Sequence, residues 1–129
     1  MYEDEQEAIG TVALLIDDLS SEDPNAKLHS IQRLQQISTL LGPERTVDEL
    51  VPMLSELIDK IDSNPELMMH LAEQLGNLTH GDTIGKSPEE KEKNAIALLQ
   101  PLEVIVGSDD TLVREKATAA LNKVSAFLN

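Results

Sequence analysis

The chain has 129 residues, among them 24 acidic and 10 basic side chains, which give it a formal net charge of −14. A field of that sign repels phosphate backbones and anionic bilayers, so we expect neither a nucleic acid nor a membrane as partner. Cysteine is absent, which excludes disulfides and thiolate ligands, and one Tyr, one Phe and no Trp predict an aliphatic core.

The amino-terminal residues differ from those of a secreted protein. The first seven carry four acids where a signal peptide has a basic start and an apolar run. No apolar stretch approaches the roughly 18 residues that a membrane helix requires. We therefore expect a soluble protein of the cytoplasm, with the nucleus left open as a second location.

Apolar residues recur at helical spacing in six segments. The first predicted helix runs from about residue 5 to 19, and the second from about residue 25 to 41. Gly42 followed by Pro43 ends the second helix, because glycine accepts the left-handed conformation there and proline cannot continue the helix.

The second pair of helices has its own start signals. Thr46 followed by Glu49 matches a capping box, in which the hydroxyl accepts from a free backbone N–H group and the carboxylate reaches back. We predict that the third helix begins there and ends near residue 61. Pro65 suits the first position of the fourth helix, which we expect to run to about His80.

The third pair follows Gly81–Pro88, the most loop-like segment, and a charged run at residues 89–93 that is typical of a solvated helix start. The fifth helix is predicted to end near residue 106. The sixth, from about residue 111 to 128, should face inward with Leu112, Val113, Ala117, Ala120, Leu121, Val124 and Leu128.

One pattern of residue types occurs three times, beginning at Asp23, Asn64 and Asp110, so that the copies lie 41 and 46 residues apart. A period of about 40–47 residues built from two helices is typical of HEAT and armadillo repeats, which stack into solenoids. The sequence therefore predicts an all-α fold, an α-α superhelix (HEAT-repeat solenoid) of about three helix pairs. We place the repeats at 1–42, 43–81 and 82–129, the third after the loop and charged run at 81–93.

Solenoids of this kind usually hold partners rather than transform substrates, so we predict a non-catalytic scaffold with no cofactor. An alternative from another class is a small nucleotide-binding domain, since Gly81–Ser87 is similar to a phosphate-binding loop. Three residues instead of four separate its glycines, however, and no strand is predicted before it.

Two further sets of residues could be taken for metal ligands. Calcium-loop spacing occurs in the second turn, but Pro65 and Leu67 replace a flexible residue and the turn glycine that such a loop needs. The residues with that spacing are Asp62, Asn64, Glu66 and Glu73. The three histidines, His29, His70 and His80, lack an i+4 partner, so we expect no metal site.

Six short sequence segments inside the repeats resemble those of a known family. They are LIDDLSSED at Leu15–Asp23, LHSIQRLQQI at Leu28–Ile37, LGPERT at Leu41–Thr46, LAEQLG at Leu71–Gly76, QPLE at Gln100–Glu103 and VREKA at Val113–Ala117. In this order, over about Ile9 to Ala126, the chain resembles the amino-terminal HEAT repeats of the scaffolding, or regulatory, A subunit of protein phosphatase 2A.

The resemblance implies a horseshoe of many such repeats, of which this chain would be the first three. In that family the turns inside the amino-terminal repeats bind regulatory B subunits, whereas the catalytic subunit binds carboxy-terminal repeats absent from this chain. Carried over by position, the candidate partner-binding residues are Asp23 and Asn25 in the first turn, Asp62, Asn64 and Glu66 in the second, and Asp109, Asp110 and Arg114 in the third.

These residues also have structural alternatives. Asp23 and Asp110 could serve only to cap the helices that follow them, and Arg114 could reach along the stack toward a neighbouring turn. A HEAT-repeat adaptor of another complex remains the rival for the whole chain. We also expect the third repeat to expose aliphatic residues where a fourth would pack, and to associate weakly with itself there.

Overall fold

The computed structural model describes residues 12–128, and in that part of the chain it contains helices and turns but no strand. The first helix, α1, is described over residues 12–20. A π-helical segment at Thr46–Leu50 joins α4 to α5. The other helices are α2 at Pro24–Ile31, α3 at Leu34–Leu41, α4 at Pro43–Arg45, α5 at Val51–Ile61, α6 at Pro65–Asn77, α7 at Pro88–Val106 and α8 at Thr111–Ser125.

The helices form two layers of hairpins. Helix α6 packs against α2 and α3 on one side and against α8 on the other, so these helices make one layer, while α5 packs against α7 in the second layer. Within the first hairpin the Ser30 hydroxyl donates to the Leu15 carbonyl at 2.7 Å and ties α2 to α1. Short turns join the two helices of each hairpin, so the helices of a pair run antiparallel.

Successive hairpins are related by a shift along the sequence. Three contacts between α6 and α8 join residues 43, 44 and 46 positions apart, in the same order along both helices, so the two helices are parallel. The contacts are Lys116 with Glu73 at 3.5 Å, Gly76 beside Ala120, and Lys123 with Asn77 at 3.0 Å. The predicted all-α stack of helix pairs is therefore confirmed.

The core is aliphatic, as the composition predicted. Burying a leucine, isoleucine or valine contributes about 1.5–3 kcal/mol, and such residues from every helix layer join into one cluster. Leu112 is an exception to the predicted inward face of α8, because 57% of it is exposed. The inward stripe runs through Val113, Ala117, Ala120 and Val124, and Leu112 falls on the polar side of that stripe.

The second predicted helix is divided in two. The Arg33 N–H group donates to the Ser30 carbonyl at 3.0 Å, three residues back, and Arg33 takes the non-helical angles φ −114° and ψ 18°. This leaves the His29 carbonyl without its usual backbone donor, and the Arg33 guanidinium donates to it at 3.0 Å. The sequence pattern did not predict this break, because the helical spacing of apolar residues continues across it.

The predicted capping box at Thr46 is wrong. Thr46 has helical angles, and its hydroxyl donates to the Gly42 and Ser38 carbonyls at 2.8 and 3.2 Å instead of capping a helix. The helix begins earlier, at Pro43, after Gly42 with φ 89°. Glu49 accepts from Arg45 at 2.6 Å, and this hydrogen bond lowers the pKa of the Glu49 carboxyl.

The segment Gly81–Pro88 is a loop up to Ser87, as predicted, but its centre is packed into the protein. Ile84 is completely buried, and the Asn94 amide donates to its carbonyl at 2.6 Å. A side chain at Gly85 would lie 2.8 Å from the Lys91 nitrogen, so glycine permits this close approach to α7. The fourth helix ends before this loop at Asn77, three residues earlier than predicted.

Candidate partner-binding turns

The second and third turns lie side by side at one edge of the stack. They follow α5 and α7 and precede α6 and α8, whose parallel packing brings their amino-terminal ends together. A groove of about 390 Å³ separates them. We call it the inter-turn groove, and it is lined by Ile58, Asp59, Asp62, Pro65, Met68, Val104, Gly107, Ser108, Asp109, Asp110 and Val113.

The first turn, residues 21–23, uses its aspartate to start α2. The Asp23 carboxylate accepts from the Asn25 N–H group at 3.0 Å, and the Ser21 hydroxyl accepts from the Asp23 N–H group at 3.0 Å. Asp23 therefore caps α2, and its carboxylate also lies at the exposed surface beside Asn25. This turn leads into α2, which packs against α6.

In the second turn the cap and the exposed acids are different residues. The Asn64 side-chain oxygen accepts from the Leu67 N–H group at 3.2 Å and so starts α6. Asp62 and Glu66 are exposed, and within residues 12–128 neither carboxylate accepts a hydrogen bond or forms an ion pair. These two are therefore available to a partner at no cost in internal contacts.

The third turn binds its own arginine. The Asp110 carboxylate accepts from the Leu112 and Val113 N–H groups at 2.9 and 3.1 Å, which confirms its capping role. The Arg114 guanidinium donates to the Ser108 carbonyl at 2.9 Å and to the Thr111 hydroxyl at 3.2 Å. The expectation that it reaches a neighbouring turn is wrong, since these acceptors belong to its own turn.

The Asp110 cap can be separated from the Asp110 charge. Asp110→Ala removes the carboxylate oxygen that accepts from two helix N–H groups and should lower the free energy of unfolding by about 1 kcal/mol, within a range of about 0.5–2 kcal/mol. Asp110→Asn removes the charge but keeps a good cap, so we expect nearly wild-type stability. Urea unfolding followed by circular dichroism measures both, and equal losses in the two variants would contradict the capping role.

The groove lining also includes residues outside the predicted set, among them an aspartate and an exposed valine. Asp59 lies on α5, three residues before Asp62 in the turn that follows, and Val104 on α7 is 56% exposed. The i, i+3 spacing of the two aspartates could have indicated the first. No sequence signal indicated that Val104 lines the groove, because the apolar pattern of α7 predicts it to be a core residue.

The alternative sites are used by the protein itself. In the loop at 81–87, the Lys86 N–H group donates to the Glu90 carboxylate at 3.2 Å and the Ser87 hydroxyl accepts from the Glu90 N–H group at 3.1 Å. These groups would have to be released before a phosphate could bind, and helix α6 rather than a strand precedes the loop. The geometry therefore does not favour the nucleotide-binding alternative.

The calcium-loop spacing in the second turn is not matched by a loop. Asn64 caps α6, Leu67 lies within that helix, and Glu73 pairs with Lys116. Across residues 12–128 no group of three or more His, Asp or Glu side chains is placed to hold a metal ion. In the same range, no helix combines the length and apolar character needed to cross a bilayer.

Known proteins provide an independent comparison. No family model matches the chain. The regulatory A subunit of protein phosphatase PP2A from Schizosaccharomyces pombe is 43% identical over 118 residues, which cover 92% of this chain and 18% of that protein. The protein phosphatase 2A scaffold subunit of Dictyostelium discoideum is 38% identical over 88% of this chain and 18% of its own length.

A human relative gives the same result. The beta isoform of the 65 kDa regulatory A subunit of serine/threonine-protein phosphatase 2A is 39% identical over 122 residues, or 95% of this chain and 19% of that protein. The chain thus spans less than a fifth of the length of these relatives, and it matches their amino-terminal part. The chain belongs to the family of regulatory A subunits of protein phosphatase 2A.

Proposed function

We propose that this chain is part of a non-catalytic scaffold and that its turns bind a regulatory B subunit of protein phosphatase 2A. The names of its relatives, which are regulatory and scaffold subunits, support the scaffold role. The observation that supports use of the turns is the parallel register of α6 and α8, which sets the second and third turns beside each other.

The mechanism would be geometric and electrostatic. Stacked hairpins with a shared aliphatic core hold the turns at fixed positions, so a partner could contact several turns at once. The exposed carboxylates Asp62, Glu66 and Asp109 would supply charge complementarity at the rim, which raises association rates and specificity more than affinity. The catalytic subunit would bind elsewhere on a complete scaffold.

Charge reversal in the second turn tests this proposal. In the double variant Asp62→Lys, Glu66→Lys we expect binding of a purified regulatory B subunit to weaken at least about tenfold, because two attractive charges become repulsive ones. Isothermal titration calorimetry with the 129-residue chain measures the change. Neither side chain takes part in an internal hydrogen bond within residues 12–128, so we expect the helices to be retained. Circular dichroism of the double variant checks this.

A matched control lies away from the turns. Glu44 and Asp48 are exposed acids of α4 and the π-helical segment, and Glu44→Lys, Asp48→Lys makes the same change in net charge. We expect this control to bind the B subunit nearly as tightly as the wild type. Equal weakening in both double variants would mean that only net charge matters, and a wild-type chain that fails to bind any B subunit would contradict the proposed function.

A further inference from the structure

The inter-turn groove combines an apolar wall with an acidic rim. Val104 from α7 and Pro65 from α6 present apolar surface at the groove, and the buried Met68 also lines it. Val104 is 56% exposed, so part of its apolar surface is open at the groove. A partner group with an aliphatic part would cover this surface.

The rim carries three carboxylates that the protein does not neutralise. Asp59, Asp62 and Asp109 are exposed, and the groove lining includes no lysine, arginine or histidine. Within residues 12–128 none of the three accepts a hydrogen bond or lies in an ion pair. Asp110 differs from them because its carboxylate already caps α8. The groove is thus complementary to a cation.

We propose that the inter-turn groove binds one arginine side chain of the partner protein, an inference that rests on the proposed function and specifies the chemistry of one contact. The aliphatic stem of an arginine would lie along Val104 and Pro65, as long cationic side chains do on apolar surfaces. Its planar guanidinium would donate to Asp62 from one hairpin and Asp109 from the next. Arginine fits better than lysine because its five donors form a rigid fork that matches carboxylates.

This arrangement makes the groove sensitive to hairpin spacing. Asp62 follows α5 and Asp109 follows α7, so a guanidinium that contacts both carboxylates bridges two consecutive hairpins. A partner that inserts this side chain would therefore recognise the distance between two turns and not one turn alone. The parallel packing of α6 on α8 fixes the distance between the second and third turns.

The test removes the rim charges without changing their shape. In Asp62→Asn, Asp109→Asn we expect the dissociation constant for a purified regulatory B subunit to rise at least about tenfold and its dependence on salt to become shallower. The control Glu44→Gln, Asp48→Asn removes two exposed charges elsewhere and should behave as the wild type. If the chain binds the B subunit but the groove variant binds with unchanged affinity and salt dependence, the groove inference is overturned while the proposed function stands.

A second measurement needs no B subunit in the sample. Hexa-arginine and hexa-lysine peptides are titrated separately into the ¹⁵N-labelled chain, with the Gly107 and Ser108 amides as reporters because both residues line the groove. We expect the arginine peptide to shift these amides at lower concentration than the lysine peptide, and the shifts to disappear in the groove variant but not in the control. Equal shifts from both peptides, or shifts that persist in the groove variant, would overturn the inference even if no B subunit binds.

Discussion

Replacing Ile84 by alanine should lower the free energy of unfolding by about 2–5 kcal/mol, which is the usual cost of truncating a fully buried isoleucine. Ile84 lies in a loop, where such a substitution would ordinarily have little effect, but its side chain is part of the core cluster and none of it is exposed. Truncation leaves a cavity where the loop packs into the core. Urea unfolding followed by circular dichroism at the helical band measures the loss.

The same substitution at a nearby exposed position is the control for Ile84→Ala. Ile96 lies on α7 with 57% of its surface exposed, so Ile96→Ala should change the free energy of unfolding by no more than about 0.5 kcal/mol. A similar small effect at both positions would show that the loop is not docked in solution as the structure describes it.

Replacing Gly76 by leucine should cost about 3 kcal/mol of stability, at the upper end of the range for overpacking a close helix contact. A Cβ atom at Gly76 would lie 2.9 Å from the Ala120 Cβ and 3.0 Å from its Cα, so α6 and α8 would have to separate. The effect of Gly76→Ala should be smaller, because alanine gains about 1 kcal/mol of helix propensity over glycine and partly offsets the clash.

Ala119→Leu is the control for the leucine itself, since it introduces the same side chain at an exposed position of α8. We expect that variant to stay within about 0.5 kcal/mol of the wild type. Because Gly76→Leu pushes apart the two helices that position the second and third turns, it should also weaken B-subunit binding in calorimetry. Stability near that of the Ala119→Leu variant would show that α6 and α8 do not approach as closely as described.

Much of the fold could be predicted because its signals are local. Gly42 with Pro43 ended one helix and Pro65 began another, as helix start and stop preferences predict. The wrong capping box at Thr46 was also a local inference, and it failed because the Thr46 hydroxyl found acceptors in α3 and at Gly42. The assignment of repeats to 1–42, 43–81 and 82–129 stays a prediction.

The candidate site was predictable in part. The three turns were located correctly. Asp23 and Asp110 proved to be helix caps, whereas the exposed carboxylates of Asp62, Glu66 and Asp109 accept no hydrogen bond within residues 12–128. The role of any of these residues toward a partner stays a prediction. Neither the groove nor the part that Val104 plays in it could be predicted, because both depend on how far apart two hairpins stand.

The sequence alone determined that this chain is built from helix pairs repeated at a period of just over forty residues, and which turns join them. Periodicity, caps and breakers act within a few residues, so they can be read without the fold. The tertiary structure decided three features: the contact of Gly76 with Ala120, the burial of Ile84, and the position of Asp62 and Asp109 in the lining of one groove. The helix contact and the groove join residues more than forty positions apart, and the burial of Ile84 depends on its loop docking onto the core, so only packing could settle them.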